Sequence, residues 1–513
     1  MYKTPLPPFV SYVDSLLASL ARDPGRTAVV DADGRRTSAG ELHDAIHRLA
    51  AALADRGVGR GSTVTLLSGN RSEALTARYA ANLLGARVTF LYEGMAPEVL
   101  ARIADHVDTH VLLVDPACGA TAAGVLDRVR PPEVLAFGPS PLAEDLLALS
   151  AAYVGRRVRG AARAEDDWCI RHTGGTTGVP KGVRMAHGPY QRSLHAWSDA
   201  TGKRFLACTS LAHLAGLFAD RTLLAGGRVV LRQGFDPADV LATVARERIT
   251  DLWLLPPLLY RLLDEPSLPS TDVSSLRRIA YGGCAASPAR LRQAAEVFGP
   301  VLHGWYGQTE AGLITHVPPD EHHVTGEGGQ VTVGRPAPGV EVAVRDEGGG
   351  LRPPGGVGEI HVRSRQVMSG YWKQPELTAE VLRDGWVRTG DAGYADEDGY
   401  LYIVDRIKDM IIVVGGHVYP AELEEMLLTH PAVEHCAVFG VPGRDGVEEV
   451  HAAVVHAAGS VRPDLAGVRA FVTAHKGAMY APAALHTLGR IPLTPAGKPD
   501  RKQLRALAGC GEA

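Results

Sequence analysis

The stretch Asp167 to His187, DWCIRHTGGTTGVPKGVRMAH, decides how this chain is read. Trp168, Cys169 and Ile170 enter it with strand character and Val183 to Met185 leave it the same way, which predicts a loop held between two strands. Between them lie Thr173, Gly174, Gly175, Thr176, Thr177, Gly178 and Lys181. Glycines allow positive φ and bring backbone N–H groups close to an anion, while hydroxyls and one lysine add donors. That combination suits a polyphosphate; a plain Gly/Thr-rich surface turn is the alternative. The loop is not of the Walker type, which needs glycine directly before the lysine and Ser or Thr directly after it, because Lys181 stands between Pro180 and Gly182.

On either side, strands alternate with helices. The run from Arg26 to Leu67 reads as strand, Asp-Gly turn, helix and strand; Ser38 and Glu41 have capping-box spacing at the helix start and Gly57 stops it. A helix from Glu73 to Leu84, a strand from Val88 to Leu91, a helix from Pro97 to His106 and a strand from Val111 to Val114 follow, with the weakest organisation between Pro131 and Glu165. Beyond the loop, Pro189 to Ala200 reads as a helix and Arg204 to Leu211 as a strand ending at His213, and residues 227–264 repeat the alternation. This pattern predicts an α/β fold with a largely parallel sheet covered on both faces. After Pro336, glycine-rich antiparallel segments predict a small β-rich subdomain.

At 513 residues the chain is too long for one ordinary domain. A formal net charge of −4 gives no electrostatic reason to expect nucleic acid or an anionic membrane as partner. The N-terminal residues lack a signal-peptide pattern and no apolar run is long enough to span a bilayer, so the expected location is cytoplasmic. Six scattered cysteines without a C-x-x-C pair suggest neither a disulfide framework nor zinc. His322 and His323 read as a solvated loop, and no structural metal is expected.

Several motifs, in order, resemble the adenylate-forming superfamily, on its AMP-forming acyl- and aryl-CoA synthetase branch. They are TGGTTGVPKG (173–182), YGGCAASP (281–288), HGWYGQTEAG (303–312), GWVRTGD (385–391), LYIVDRIKDM (401–410) and IPLTPAGKPDRKQL (491–504). The resemblance covers nearly the whole chain. It implies a large N-terminal domain of parallel α/β subdomains plus a small β subdomain over 1–407, then a small mobile α+β domain over 408–513 that carries a catalytic lysine. The activity implied is formation of an acyl adenylate from ATP and a carboxylic acid, then of a CoA thioester.

Carried over by motif, Lys498, Thr177, Glu310 and His213 would be catalytic, with Glu310 holding Mg²⁺. Hard oxygen ligands suit that ion. ATP or AMP would meet Thr173, Gly174, Gly175, Thr176, Gly178, Lys181, Gly283, Cys284, Ala285, Tyr306, Gly307, Thr309, Asp391 and Arg406. An aspartate at 391 suits ribose, since one carboxylate accepts from two hydroxyls. The acyl pocket would be formed by His213, Gly282 and Trp305, with Trp305 either shortening it or only filling the core. Lys408 would be the hinge, and Gly415 and Gly416 would line the CoA tunnel.

The second substrate is the point of departure from the family pattern. Gly443 and Arg444 follow Pro442 in place of Asp-Glu, Val447 replaces the glycine before Glu448, Tyr480 replaces a lysine, and His417 stands where Asn or Lys is frequent. Three readings therefore stand: an acid:CoA ligase for a compact cyclic, aromatic or branched acid; an adenylating enzyme with another acceptor, a carrier-protein thiol or an amine, or with another oxyanion; and a non-catalytic binder. The retained Thr177, Glu310, Asp391 and Lys498 speak against the last. Oligomeric state has no local signature, and a homodimer is carried as one option.

Overall fold

A computed structural model describes residues 9–91, 95–173, 181–195, 202–284, 286–326, 330–406, 411–413, 416–418, 420–442, 448–457, 459–494 and 499–509. Two large mixed sheets dominate them. One has nine strands, and its parallel centre runs from Leu302–Gln308 through Arg278–Gly282, Asp251–Leu254, Arg204–Ala207 and Arg228–Leu231 to Thr27–Val30. Antiparallel strands close both edges, Gly312–Val317 and Arg335–Pro336 on one side and Arg36–Ser38 on the other. The other has eight strands, parallel from Asp167–Thr173 to Glu144–Asp145. Its far edge is antiparallel, with Lys181–Ala186 followed by Gly370–Tyr371.

Two helices, Ser72–Leu83 and Leu214–Leu224, contribute to the core cluster that also draws residues from both large sheets. Such helices are apolar or small on nearly every side, and all twelve residues of Ser72–Leu83 are buried. The charges that this position buries are paired: Arg78 bonds Asp220, and the Tyr79 and Tyr190 hydroxyls each donate to that carboxylate at 2.5 Å. The helix Ala39–Asp55 starts as the spacing predicts, with Ser38 N donating to Glu41 Oε2 at 2.7 Å and Glu41 N to Ser38 Oγ at 3.2 Å. Gly57, at φ 79°, ends it in the left-handed region.

The sequence-based boundaries shift in places. The strand expected from Arg204 to Leu211 stops at Ala207, and His213 is the N-cap residue of Leu214–Leu224 rather than a strand terminus. The helix expected from Pro189 begins at His187, and Ala200 lies outside the described residues. His323 is exposed as expected, but half-buried His322 turns in against Tyr281 and its Nδ1 lies 2.9 Å from the Pro318 carbonyl.

The expected small β subdomain is a five-stranded antiparallel sheet containing Val340–Arg345, Gly358–Ser364, Trp386–Ala395 and Leu401–Arg406. Beyond residue 410, Ile411–Val413 pairs with Gly416–Val418, and Val433–Pro442, Glu448–His456 and Ala484–Thr487 form a separate sheet. Their apolar side chains make clusters drawn entirely from residues 411–508. None of the described helices is long and apolar enough to cross a membrane.

Candidate active site

The strands on either side of the Gly/Thr-rich stretch, Asp167–Thr173 and Lys181–Ala186, pair antiparallel as a hairpin. Thr173 pairs with Lys181 and His172 with Gly182. Gly174 to Gly178, including Thr176 and Thr177, lie outside the described residues, as do Ala285, Lys408, Gly415 and Lys498. Under the hairpin, burial pushes the His172 imidazole down to about 4, helped by His106, whose Nδ1 is 3.5 Å away. The His172 side chain is therefore neutral at ordinary pH.

Thr309 and Glu310 occupy the tight turn between Leu302–Gln308 and Gly312–Val317. Glycine makes this turn, because a Cβ on Gly307 would overlap the Gly312 carbonyl and Gly312 itself has φ 73°. Alongside, Gly282 pairs with Trp305, where a Cβ would overlap the Trp305 carbonyl oxygen. Gly283, at φ 86°, then turns the chain into Cys284.

Two small networks join these strands to their neighbours. In the first, the Tyr306 hydroxyl donates to Asp391 Oδ2 at 2.6 Å. Gln308 Nε2 donates to the same oxygen at 2.6 Å and to the Thr389 carbonyl at 2.9 Å. Residues i and i+2 of a strand share a face, so Tyr306 and Gln308 reach one carboxylate. Asp391 is only 3% exposed and pairs in register with Arg406. In the second network, the Tyr371 hydroxyl donates to Glu310 Oε1 at 3.0 Å, and the Lys181 ammonium lies 5.5 Å from the Tyr371 ring centroid. The structure thus gathers Tyr306, Gln308 and Asp391 in one group and Glu310, Tyr371 and Lys181 in another, with Tyr306 and Glu310 four residues apart along one strand and turn. Gly416 pairs with Val413 in its own hairpin and is not part of either network.

On the other side of Leu302–Gln308, Trp305 is 7% exposed and belongs to the main core cluster. Its ring packs 5.2 Å from Phe218 and 6.0 Å from His316, with the Arg221 guanidinium 5.5 Å away. His213 caps the same helix that supplies Phe218 and Arg221. The residue is exposed, yet protein packed around it withdraws part of its hydration. That desolvation, followed by the Arg171 charge, pushes its imidazole down to about 4, so it is neutral at ordinary pH.

Gln308 and Tyr371 were not singled out from sequence. The strand alternation through Tyr306 carried a signal for Gln308. Tyr371 lies 61 residues from Glu310, and only the fold joins them.

Residues 16–372 match the family model for an AMP-binding enzyme and residues 422–498 the one for the AMP-binding enzyme C-terminal domain. The chain belongs to the AMP-binding enzyme family. Within the adenylate-forming superfamily it falls on the acyl- and aryl-CoA synthetase branch, so it is an AMP-forming ligase. Among its relatives in that family, a medium/long-chain-fatty-acid–CoA ligase of Mycobacterium tuberculosis is 35% identical over 96% of this chain and 89% of its own length. A feruloyl-CoA synthase of Amycolatopsis is 36% identical over 91% of this chain and 92% of its own. Among solved structures, the amide bond synthetase McbA of Marinactinospora thermotolerans superposes with a TM-score of 0.89, 38% identical over 97% of this chain and all of its own.

Proposed function

We propose that this AMP-binding enzyme is an ATP-dependent acid:CoA ligase that first makes an acyl adenylate and pyrophosphate, then a CoA thioester and AMP. The observation that carries the reading is the paired arrangement of Asp391 with Tyr306 and Gln308 on one side of a turn and Glu310 with Lys181 on the other. A nucleoside triphosphate needs that succession: a fixed acceptor for ribose hydroxyls, an aromatic face for the base, and a carboxylate and cation for the phosphates.

The residues fit Mg²⁺, since Glu310 is a hard oxygen donor at the mouth of a glycine-built turn and a carboxylate accepts more than the one bond that Tyr371 donates. When bound, the ion would shield the phosphate charge and orient the leaving pyrophosphate. The chain's own residues do the rest. Asp391 and Tyr306 hold the nucleoside; Lys181 and the loop of Thr173, Gly174, Gly175, Thr176, Thr177 and Gly178 grip the outer phosphates. Thr309 touches the α-phosphate, and Gly283, Cys284 and Ala285 leave room for the flat base. Lys498 lies in sequence between Leu493 and Pro499, which form a β-bridge. From there it would steady the acid oxygen as it attacks the α-phosphorus and the bond to pyrophosphate breaks. The small domain, bounded near residue 407, would then turn about Lys408 and bring Gly415 and Gly416 to the thiol.

The acid lies against His213, Gly282 and Trp305. A neutral imidazole and an immobile indole suit a compact, ring-bearing or branched acid. One observation supports a second acceptor, an amine: the likeness to an amide bond synthetase, together with the altered positions Gly443, Arg444, Val447 and Tyr480. AMP release from Mg²⁺-ATP across aromatic, cyclic and straight-chain acids, each with CoA, with amines and with neither, decides between them. Strict CoA dependence, lost in Lys498→Ala, supports the ligase. AMP release driven by amines alone moves the acceptor, and absence of pyrophosphate exchange with every acid ends both readings.

A further inference from the structure

The second network contains one residue that no motif assigns. Tyr371 is 5% exposed, and it is held from several directions. Its backbone lies on the two-residue strand Gly370–Tyr371, which pairs with Arg184 and Val183 of the strand that leaves the hairpin loop. Its N–H donates to Thr378 Oγ1 at 2.8 Å, and its ring packs with Val183 and Met368. Gly370, at φ 128°, leaves no room for a side chain against Thr378.

The flanking residues tie down both halves of the site. Met368 N donates to the Glu310 carbonyl at 2.8 Å, and Trp372 N donates to the Gly182 carbonyl at 2.7 Å, one residue beyond Lys181. Trp372 is itself anchored, with Nε1 donating to the His106 carbonyl at 2.9 Å and the Arg87 guanidinium stacked 4.3 Å over its ring. Residues 368–372 therefore form a strap between the Glu310 turn, which belongs to the nine-stranded sheet, and the hairpin, which belongs to the eight-stranded one.

We infer that Tyr371 is a positioning residue that couples the metal-binding carboxylate to the phosphate-gripping lysine. Its hydroxyl holds Glu310 Oε1 at 3.0 Å, and its ring face holds the Lys181 ammonium at 5.5 Å. A phenol hydrogen bond to one carboxylate oxygen fixes the plane of the carboxylate and so the direction of its other oxygen. A cation over an aromatic face is attracted by the ring quadrupole without being neutralised, so it keeps its full charge for phosphate. A carboxylate in the same place would quench it. Tyrosine is the side chain that performs both tasks from one rigid position, and its substitution separates them. This inference rests on the proposed reading of Glu310 and Lys181 as metal and phosphate ligands.

The test is nucleotide binding by calorimetry, with AMP, metal-free α,β-methylene-ATP and its Mg²⁺ complex as probes, on the wild type, Tyr371→Phe and Tyr371→Leu. Tyr371→Phe keeps the ring and loses the hydroxyl. It should weaken the Mg²⁺ complex about tenfold, the scale of one hydrogen bond to a charged group, and leave AMP and the metal-free analogue within twofold. Tyr371→Leu should weaken the metal-free triphosphate analogue as well, because Lys181 loses its seat, while AMP binding again holds. Retained AMP affinity shows that each variant is folded at the site. If Tyr371→Phe binds the Mg²⁺ complex as the wild type does, or loses all three ligands equally, the coupling role is overturned. Pyrophosphate exchange by the wild type is measured in parallel, and its absence with every acid overturns the ligase reading while the binding series still scores Tyr371.

Discussion

Asp391 concentrates the chemistry of its strand, since it receives Tyr306 and Gln308 at once and is almost fully enclosed. Asp391→Asn keeps the shape and removes the charge that makes those bonds strong. We expect the KM for ATP to rise about tenfold or more, with the KM for the acid nearly unchanged, in steady-state assays that vary each substrate in turn. His213→Ala should do the reverse, raising the KM for the acid several-fold and leaving that for ATP in place, because the proposed reading sets the imidazole against the acid and not the nucleotide. Motif spacing brought Tyr306, Glu310 and Asp391 into view, because each stands in a short local pattern. Trp305 was ambiguous for a physical reason. An indole in a strand looks the same whether it meets substrate or core, and its packing on Phe218 comes from a partner far away in sequence.

Gly282 shows how two strands are held at the spacing the site needs. A methyl group there would press on the Trp305 carbonyl, so Gly282→Ala must push apart the ends of two parallel strands that carry the Gly283 turn and Tyr306. A loss of about 1–3 kcal/mol in urea unfolding is expected, along with a larger loss of adenylation than the stability change explains. At the other end of the chain, the helix Arg501–Gly509 is fastened by Arg501, which donates to the Val438 carbonyl and to Glu424 Oε1, each at 2.9 Å. Burial raises the Glu424 carboxyl above its ordinary value while Arg501 opposes the shift. Arg501→Gln should lower the melting temperature and slow adenylation, since Lys498 is only three residues before this helix in the sequence. Helices were legible from caps and periodicity, as at Ser38 and Glu41, whereas the strand after Arg204 ended early because residues 208–212, with Ser210 exposed among them, turn toward the next helix rather than extend the ladder.

Across the whole molecule, buried polar groups set the terms of stability. Asp220→Ala would strand Arg78, 2% exposed, in the core, and a loss of about 3–5 kcal/mol is expected by chemical denaturation. Three buried imidazoles, His47, His172 and His187, have values near 4 in the folded chain against an ordinary 6.5. Between those values the unfolded chain binds protons that the folded one does not. Stability is therefore complete above about pH 6.5 and falls as the pH drops toward 4, by at most about 3 kcal/mol for each group. Melting temperatures from pH 8 to 5 should decline accordingly, and His187→Phe should flatten the slope. The α/β class was readable from alternation alone, but the order of strands was not, because partners far apart in sequence leave no local trace.

That last property has a consequence during synthesis. The strand Thr27–Val30 is made some two hundred residues before its parallel partner Arg228–Leu231, with Val29 facing Val229. At ribosomal rates of about 5–20 residues per second, the apolar strand waits roughly 10–40 s before its neighbour exists. Ala28, Val29 and Val30, buried to within 3% in the finished protein, are exposed for that interval. Nascent chains stalled before residue 228 are thus the form of this enzyme most in need of a chaperone, and release from it should coincide with emergence of the second half of the sheet.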